Sequence, residues 1–359
     1  MLRAIAVLLV LLRHLDRVPV DAGPATRLAF ELGTQVGWTG VDLFFVLSGF
    51  LVTGLVLREA ELTGGFDGWR FFTRRGFKIY PAFYCFLAVS VLVGTLLGER
   101  TSGRALLHEA VFLQNYLHPA VFGHTWSLAV EEHFYAALIL GSGWALRRGR
   151  GLAAFRGIPV MVWLLLLGCL LLRIEAVWRG VDARSVAGSS HLRADALATG
   201  ALLAWWTRTR PQELARLAER WTLPLTLLAL ALLSPLWLLP SLHPWTLTGG
   251  LSANAIAFAL LLLLTLHPRP HPPGASAARD LVARIGRDSY SIYLWHPLAL
   301  LGAQAGLDRA GPGLPHALRA ALEIGVALGV GIMTARLVER PALRLRDRYY
   351  PSRAAAIAG

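Results

Sequence analysis

Residues 3–14 read RAIAVLLVLLRH, an apolar run with Arg3 at one end and His14 at the other. At about 100° per residue, the eleven steps between them make three helical turns plus roughly 20°, so both side chains fall on one face of an α-helix. Three apolar residues share that face: Ala6, Val7 and Val10. A signal peptide needs no such face, and the following residues show no convincing small-residue cleavage site. The run is therefore predicted to be a retained first helix with polar ends.

The whole chain has the composition of a membrane protein. Its 359 residues are 55% hydrophobic and 16% charged, with a mean hydropathy of +0.52, whereas soluble domains carry about a quarter charged residues. Ten apolar stretches approach the length of about 20 residues that spans a bilayer: 2–14, 36–57, 79–98, 126–146, 158–177, 191–206, 222–239, 246–266, 288–306 and 317–338. This pattern predicts an all-α polytopic membrane protein with about ten transmembrane helices.

The net charge of +13 would suggest a nucleic-acid partner in a soluble protein, but here its distribution along the chain indicates a lipid bilayer and no nucleic acid. Most Arg and Lys residues lie in alternate loops: 58–78, 147–157, 207–221, 267–287 and the tail from 339. This positive-inside pattern predicts that both termini are cytoplasmic. The arginines of segment 173–193 argue mildly against that orientation.

Ionisable residues inside membrane spans usually face the protein interior, so each is a candidate functional group. His14 is the strongest candidate for a general base, because an imidazole titrates near neutrality. The alternative is a histidine at the membrane interface whose hydrogen bonds are made to water. Asp42 is the sole charge of the second span and could orient His14, as a carboxylate fixes an imidazole tautomer. It could equally cap or hold helices, and Gly40, Gly49 and Gly54 are predicted to permit close helix packing.

The segment 124–135, HTWSLAVEEHFY, places two adjacent carboxylates in the fourth span. Neighbouring helix residues point about 100° apart, so only one can face a given site squarely. Glu131 shares its face with Ser127 and Tyr135 and is the better candidate for a polar cavity, where it would orient a catalytic histidine or bind an acceptor hydroxyl. Glu132 and Trp126 are candidate supporting residues.

The basic segment 71–81, FFTRRGFKIYP, leads into the third span. Its cations either anchor the loop at the cytoplasmic surface or form a phosphate clamp, in which Arg75 and Lys78, at i and i+3, share a helical face and Arg74 assists. Pro81 would bend or start a helix.

Three further polar sites lie in the C-terminal half. Ser289, Tyr293 and His296 share one face of the ninth span, where His296 is either catalytic or part of an aromatic belt. Arg193 and Asp195 are interpreted as a buried ion pair in the sixth span. Residues 338–344, VERPALR, are predicted to stop a helix, and the two cysteines, Cys85 and Cys169, are small core residues without metal or disulfide spacing.

Seven of these stretches, in order from residue 3 to residue 341, resemble the membrane acyltransferase 3 family of polytopic O-acyltransferases: RAIAVLLVLLRH, GVDLFFVLSGFLVTG, RRGFKIYPAFY, TWSLAVEEHFY, RADALATGALLA, SYSIYLWHP and VERP. The resemblance implies a ten-helix acyltransferase fold. It also implies an acyl-CoA donor, usually acetyl-CoA, that arrives from the cytoplasm as a co-substrate, with no permanently bound cofactor and no metal.

The resemblance also assigns roles to residues. The family's arginine and catalytic histidine fall on Arg3 and His14, and its basic motif falls on Arg75 and Lys78. The family usually has a second arginine at the latter position, and lysine keeps the charge but loses the bidentate fork. Many members carry a soluble esterase-like domain. Here residues 1–345 are predicted to form the membrane domain and 346–359 a short disordered cytoplasmic tail, without such a domain.

Together these observations predict one reaction scheme and leave two alternatives. Acyl-CoA would dock its phosphates at the basic segment, with Arg3 on the donor side. His14 would deprotonate an acceptor hydroxyl of a carbohydrate, glycolipid or secondary metabolite, or carry the acyl group itself, while Glu131 or Asp42 tunes its basicity. The alternatives are a lipid or sugar-carrier transporter that uses the buried charges as a proton relay, and a purely structural membrane subunit.

Overall fold

The computed structural model describes residues 1–15, 23–117, 121–266, 276–310 and 313–351. These residues contain no β-strand, which confirms the all-α class. They form fifteen α-helices: α1 (Leu2–Arg13), α2 (Pro24–Gly37), α3 (Thr39–Thr63), α4 (Gly68–Leu96), α5 (Gly103–Ala110), α6 (Trp126–Arg148), α7 (Ile158–Trp178), α8 (Ala183–Gly188), α9 (Ala194–Thr209), α10 (Pro211–Arg220), α11 (Thr222–Leu238), α12 (Leu251–Thr265), α13 (Ser276–Ala310), α14 (His316–Thr334) and α15 (Arg340–Tyr349).

Several of these helices can cross a membrane. Each of the ten apolar stretches lies largely within one helix, and five helical segments are long and apolar enough to span by themselves: Thr39–Thr63, Gly68–Leu96, Gly151–Trp178, Thr246–Thr265 and His316–Tyr349. Helices α10 and α11 meet at an angle of 81° and would give a sixth span if they count as one. The described residues therefore support an integral membrane protein, and the number of ten spans stays a prediction.

The chain divides into two compact units, of which the first comprises Met1–Val41, Gly76–Thr101 and His271–Leu345. Within it, α1 packs against α2 and α13, and α13 packs against α14. The apolar part of the face that Arg3 and His14 share is buried, because Ala6, Val7 and Val10 are at most 2% exposed.

The second unit comprises Asp42–Arg75, Ser102–Pro270 and Arg346–Gly359. Its helix α9 packs against α7 and α12, and α11 packs against α12. At Gly49 of α3, an added Cβ would lie only 1.9 Å from the carbonyl oxygen of Leu197 in α9.

The glycines of the second predicted span differ in their surroundings. Besides the contact of Gly49 with α9, an added Cβ at Gly40 would lie 2.5 Å from the carbonyl oxygen of Ala6, within the first unit. At Gly54 such an atom would meet no other heavy atom of the described residues within 4 Å. The predicted close packing is confirmed at Gly40 and Gly49 and wrong at Gly54.

Two predictions about prolines require correction. Pro81 does not start a helix, because it lies inside α4; membrane helices tolerate internal prolines when neighbouring groups satisfy the freed backbone. The predicted helix stop at 338–344 is also wrong. A π-helical turn, Ala335–Glu339, carries the helix past Pro341 to Tyr349, with the Arg340 N–H bonded to the Ala335 carbonyl five residues back. A proline disrupts the regular hydrogen bonding of an α-helix. Here the turn directly before Pro341 is instead a π turn, which has the wider i to i+5 bonding.

The residues at which a disordered tail was expected to begin are helical. Residues 346–349 belong to α15. The predicted tail residues 352–359 and the basic-loop residues 267–275 lie outside the described residues.

Candidate active site

In the first unit, α1 and α13 bring two candidate histidines together. The ring centroids of His14 and His296 are 4.7 Å apart, in an edge-to-face arrangement. His14 Nδ1 lies 2.9 Å from the carbonyl oxygen of Val10. Because a carbonyl can only accept, Nδ1 carries the hydrogen and Nε2 keeps the basic lone pair. His14 is also exposed, so the imidazole has the tautomer and access that a general base requires.

His296 is wholly buried at 0% exposure, so it does not occupy a lipid-facing aromatic belt. Its Nδ1 is hydrogen-bonded to the Tyr293 carbonyl, and its ring lies 5.6 Å from the Tyr293 ring. The remaining predicted member of this face, Ser289, accepts a 3.1 Å hydrogen bond from Arg3 Nε. The predicted face of α1, with Arg3 and His14, therefore lies against the predicted face of α13. Arg3 meets Ser289 and His14 meets His296, so the two helices run in the same direction.

Lys78 occupies a second polar cluster of the first unit. It forms an ion pair with Glu339, which is 3% exposed and accepts a 2.7 Å hydrogen bond from Ser291 Oγ. The Lys78 ammonium also lies 5.8 Å from the centroid of the Tyr290 ring. The sequence predicts Lys78 as a phosphate ligand, and the structure gives it a carboxylate of the π turn as its partner.

In the second unit, Glu131 lies in a polar cluster, as its helical face predicts. Its Oε2 accepts hydrogen bonds from the Tyr135 hydroxyl and, at 3.1 Å, from Ser48 Oγ. Arg75 donates to the Tyr135 hydroxyl, and its Nη2 lies 4.0 Å from Glu131 Oε2. The predicted grouping of Glu131 with Tyr135 is confirmed, whereas Ser48 and the link to Arg75 were not predicted. Ser48 could have been identified as a candidate from the sequence, because it is a polar residue within the apolar run FFVLSGF.

The structure also gives the surroundings of Glu132, Ser127 and Arg74, of which Glu132 lies close enough to Arg75 to interact with its charge. Glu132 is half-buried, and Ser127 Oγ donates to the His124 carbonyl at 3.3 Å. Arg74 forms a 3.5 Å ion pair with Asp347 and a hydrogen bond with the Tyr350 carbonyl. Each of the three predicted phosphate ligands thus has an acidic partner within the protein.

Two buried ion pairs correct the interpretation of Arg193 and Asp195 as partners of each other. Arg193 pairs with Asp42, whose second oxygen accepts a 2.6 Å hydrogen bond from Asn254. Asp195 instead pairs at 2.7 Å with Arg173, which is fully buried. Residues two apart at the start of a helix point to different sides, so each finds its partner on another helix.

The Arg193 guanidinium also contacts aromatic rings. Its carbon lies 5.5 Å from the ring of Trp126 and 5.6 Å from that of Phe45. Trp126 is thereby placed against the Asp42–Arg193 pair. Within the ranges that the structure describes, no three His, Cys, Asp or Glu residues are grouped to hold a metal ion.

Comparisons with known proteins bear on what these groups do. The peptidoglycan O-acetyltransferase OatA of Listeria monocytogenes is 25% identical over 369 residues, which cover 95% of this chain and 54% of that protein. A putative O-acetyltransferase of Staphylococcus aureus is 34% identical over 150 residues, covering 37% of this chain and 22% of that protein. An uncharacterized protein of Haemophilus influenzae is 28% identical over 180 residues, covering 46% of this chain and 73% of its own.

No solved structure matches the chain significantly. The chain spans about half of the length of the Listeria relative. The model of the acyltransferase domain family, acyltransferase type 3, matches residues 1–336. Because this match includes α1 with Arg3 and His14 and runs into the π turn before Pro341, the chain belongs to the membrane acyltransferase 3 family.

Proposed function

We propose that this protein is a membrane O-acetyltransferase. It would move an acyl group, with acetyl favoured, from acyl-CoA to a hydroxyl of a surface carbohydrate, a glycolipid or a secondary metabolite. The family and the names of the Listeria and Staphylococcus relatives support this activity. The observation that carries the proposal is the His14–His296 pair, in which His14 Nε2 keeps its lone pair.

In the proposed reaction, His14 Nε2 removes the proton from the acceptor hydroxyl as its oxygen attacks the thioester carbonyl. The carbon–sulfur bond then breaks and CoA leaves as a thiolate. His296, buried against the edge of His14, positions the reacting ring. Arg3 lies on the same face, about 16 Å away along the helix at 1.5 Å per residue, a distance that the long pantetheine arm of a donor can span.

The donor phosphates are proposed to bind the basic segment. Arg74 and Lys78 would exchange their contacts with Asp347 and Glu339 for phosphate oxygens. Arg75 is held by Tyr135 beside Glu131, so Glu131 is proposed to position this guanidinium. Asp42, bound to Arg193 and Asn254, is proposed to hold its helix in place.

The test uses the purified full chain with radiolabelled acetyl-CoA and a panel of cell-surface glycans and lipids. Wild-type protein is expected to release CoA and label one acceptor, whereas His14→Ala lowers the rate by about 10²–10⁴-fold, the usual contribution of a general base. His316→Gln, at the start of α14, is the matched control and keeps full activity. Absence of CoA release with every acceptor, together with substrate uptake into proteoliposomes, would replace this proposal with a transporter.

The acceptor can be identified independently by mass spectrometry of surface glycans and lipids from wild-type and deletion strains. A species that loses one acetyl group in the deletion strain names the acyl group and its acceptor together. Unchanged spectra from all extracts would contradict a surface acceptor.

A further inference from the structure

A serine and a histidine that the proposed reaction does not use lie together in the second unit. Ser190, in the short 3-10 turn before α9, is 6% exposed. Its Oγ lies 2.8 Å from His133 Nδ1, on the second turn of α6. The same Oγ accepts a 3.1 Å hydrogen bond from Asn115 Nδ2, which also donates to the Trp126 carbonyl at 2.9 Å. The tautomer of His133 decides whether the serine hydroxyl donates to it.

The backbone fixes the tautomer of His133. The imidazole makes a hydrogen bond with the backbone of Phe112, and because the Phe112 N–H donates to the Glu109 carbonyl at 3.0 Å, the partner of the imidazole is the Phe112 carbonyl oxygen. With Nδ1 facing Ser190, Nε2 is the nitrogen that carries the hydrogen to this carbonyl, and the Nδ1 lone pair faces the serine hydroxyl. Phe112 has φ of +59°, a left-handed conformation that is uncommon for a bulky residue.

The strained backbone at Phe112 is an independent sign of a functional arrangement. Left-handed non-glycine residues are strained and persist only where the surroundings hold them. Here the strain accompanies a carbonyl that orients a histidine, and the histidine in turn faces a serine. A nucleophile, a base and a third group that orients the base are the parts of an activated hydroxyl.

Aromatic rings hold the imidazole in place. The ring of Tyr116 lies 5.9 Å from that of His133 and is stacked at 5.8 Å on that of His191. The Tyr116 hydroxyl lies 3.1 Å from His191 Nδ1 and accepts a 3.1 Å bond from the His191 N–H. The loop that carries Ser190 is thereby tied to the loop that carries Asn115.

We propose that Ser190 carries the acyl group as an ester between donor and final acceptor, with His133 as its base. This inference rests on the proposed function and makes the transfer a two-step reaction. The sequence predicts that the loops of Ser190 and Asn115 face away from the cytoplasm, which is the side where a surface carbohydrate would take the group.

In the first step, Ser190 Oγ bonds to the carbonyl carbon of the acyl-CoA thioester and passes its proton to His133 Nδ1. The carbon–sulfur bond breaks, and CoA leaves as a thiolate. In the second step, the acceptor oxygen bonds to the acyl carbon, the ester bond to Ser190 breaks, and His133 returns the proton to Ser190 Oγ. The acceptor's proton is released to solvent, which supplies one proton to the thiolate.

The experiment traps the ester in the purified full chain. The protein is incubated with acetyl-CoA without acceptor, quenched in acid and digested, and the peptide that contains Ser190 is examined by mass spectrometry. We expect a burst of CoA release equal to the amount of enzyme, and an acetyl group in place of one hydrogen on this peptide. Ser190→Ala should lose the adduct and slow transfer by about 10²-fold or more.

Two variants separate chemistry from structure. Ser190→Cys should form a thioester that neutral hydroxylamine cleaves, whereas the wild-type serine ester requires alkaline hydroxylamine. Ser189→Ala is the matched control, because Ser189 Oγ donates only to the Ser185 carbonyl of its own helical turn in the described contacts. Thermal unfolding of each variant in detergent reports whether it folds.

The outcomes are distinguishable. Undiminished transfer by Ser190→Ala overturns the acyl-serine while the proposed function stands. Loss of transfer in Ser190→Ala without any adduct on wild-type or Ser190→Cys protein makes Ser190 a structural residue and also overturns it. Failure of wild-type protein to release CoA with any acceptor overturns the proposed function itself.

Discussion

At the scale of single residues, the contact between His14 and His296 predicts how a substitution at His296 changes catalysis. Removal of this buried ring should let His14 shift, and misplacement of a catalytic group by about 1 Å can cost 10²-fold in rate. We therefore expect His296→Ala to lower kcat for acetyl transfer by about that factor, with a smaller change in KM. His296→Phe keeps an aromatic edge against His14 and should retain more activity. Equal kcat values for wild type and His296→Ala would show that His14 is held by other groups.

The Asp42–Arg193 pair predicts a loss of stability that a second substitution repairs. Asp42→Asn leaves the buried Arg193 charge uncompensated, and breaking a buried pair in this way typically costs about 3–5 kcal/mol. Asp42→Asn combined with Arg193→Met removes both charges and should restore most of the unfolding temperature in detergent. If Asp42→Asn unfolds at the same temperature as wild type but fails to transfer acetyl groups, Asp42 acts on the chemistry and the structural role is wrong.

Glu109 predicts a pH dependence of stability. Burial raises the pKa of its carboxyl above the ordinary value of 4.5, against the lowering effect of hydrogen bonds from Phe122, Thr125 and Val121. For an acid with a raised folded-state pKa, the unfolded chain loses its proton first. The contribution of this group to stability is therefore full below pH 4.5 and falls as pH rises towards the folded-state pKa.

The test compares Glu109→Gln with wild type in thermal unfolding from about pH 4 to pH 8. The Glu109→Gln variant should lack the part of the fall that begins near pH 4.5, whereas Glu99→Gln, at an exposed position, should follow wild type. Parallel curves for all three proteins would contradict a raised pKa at Glu109.

At the scale of helices, the glycines of α3 provide a matched pair. A Cβ at Gly49 would lie 1.9 Å from a backbone carbonyl of α9, and no side-chain rotation relieves that contact, so the two helices must separate. We expect Gly49→Ala to destabilise the protein by about 1–3 kcal/mol or more, since 1–3 kcal/mol is the range typical of overpacking. Gly54→Ala, where an added Cβ meets open space, should leave the unfolding temperature unchanged or slightly raised, because alanine favours a helix. Equal effects at both positions would contradict the close approach of α3 and α9.

Helical periodicity explains which contacts the sequence could predict. A residue's face follows from its spacing, which is why Arg3 and His14, Ser289 and His296, and Glu131 and Tyr135 were grouped correctly. Periodicity does not tell which helix lies opposite. The partners of Asp195 and Lys78 therefore escaped prediction, although Arg173 and Glu339 were visible as charges at the ends of apolar segments.

At the scale of the whole molecule, the ion pairs change how the charge distribution is interpreted. Segment 173–193 was the one loop whose arginines argued against cytoplasmic termini. Arg173 is fully buried inside α7 and Arg193 is 3% exposed, and both are neutralised by aspartates. In the folded protein Arg179 and Arg184 are the exposed arginines of this segment, so it carries fewer free loop charges than the bare sequence suggests.

The positive-inside pattern, together with the ten predicted spans, predicts that loop 147–157 is cytoplasmic and that loop 240–245 lies on the opposite side. Three predicted spans lie between them, in α7, α9 and α11, and α9 is not among the helices that are long and apolar enough to cross by themselves. In a variant with Cys85 and Cys169 replaced by alanine, Ser241→Cys should react with an impermeant maleimide on intact cells. Arg150→Cys should react only after the cells are permeabilised. If both cysteines react from the outside, or neither does, an even number of spans separates them, so that α9 or α11 does not cross the membrane. If only Arg150→Cys reacts, the orientation is inverted.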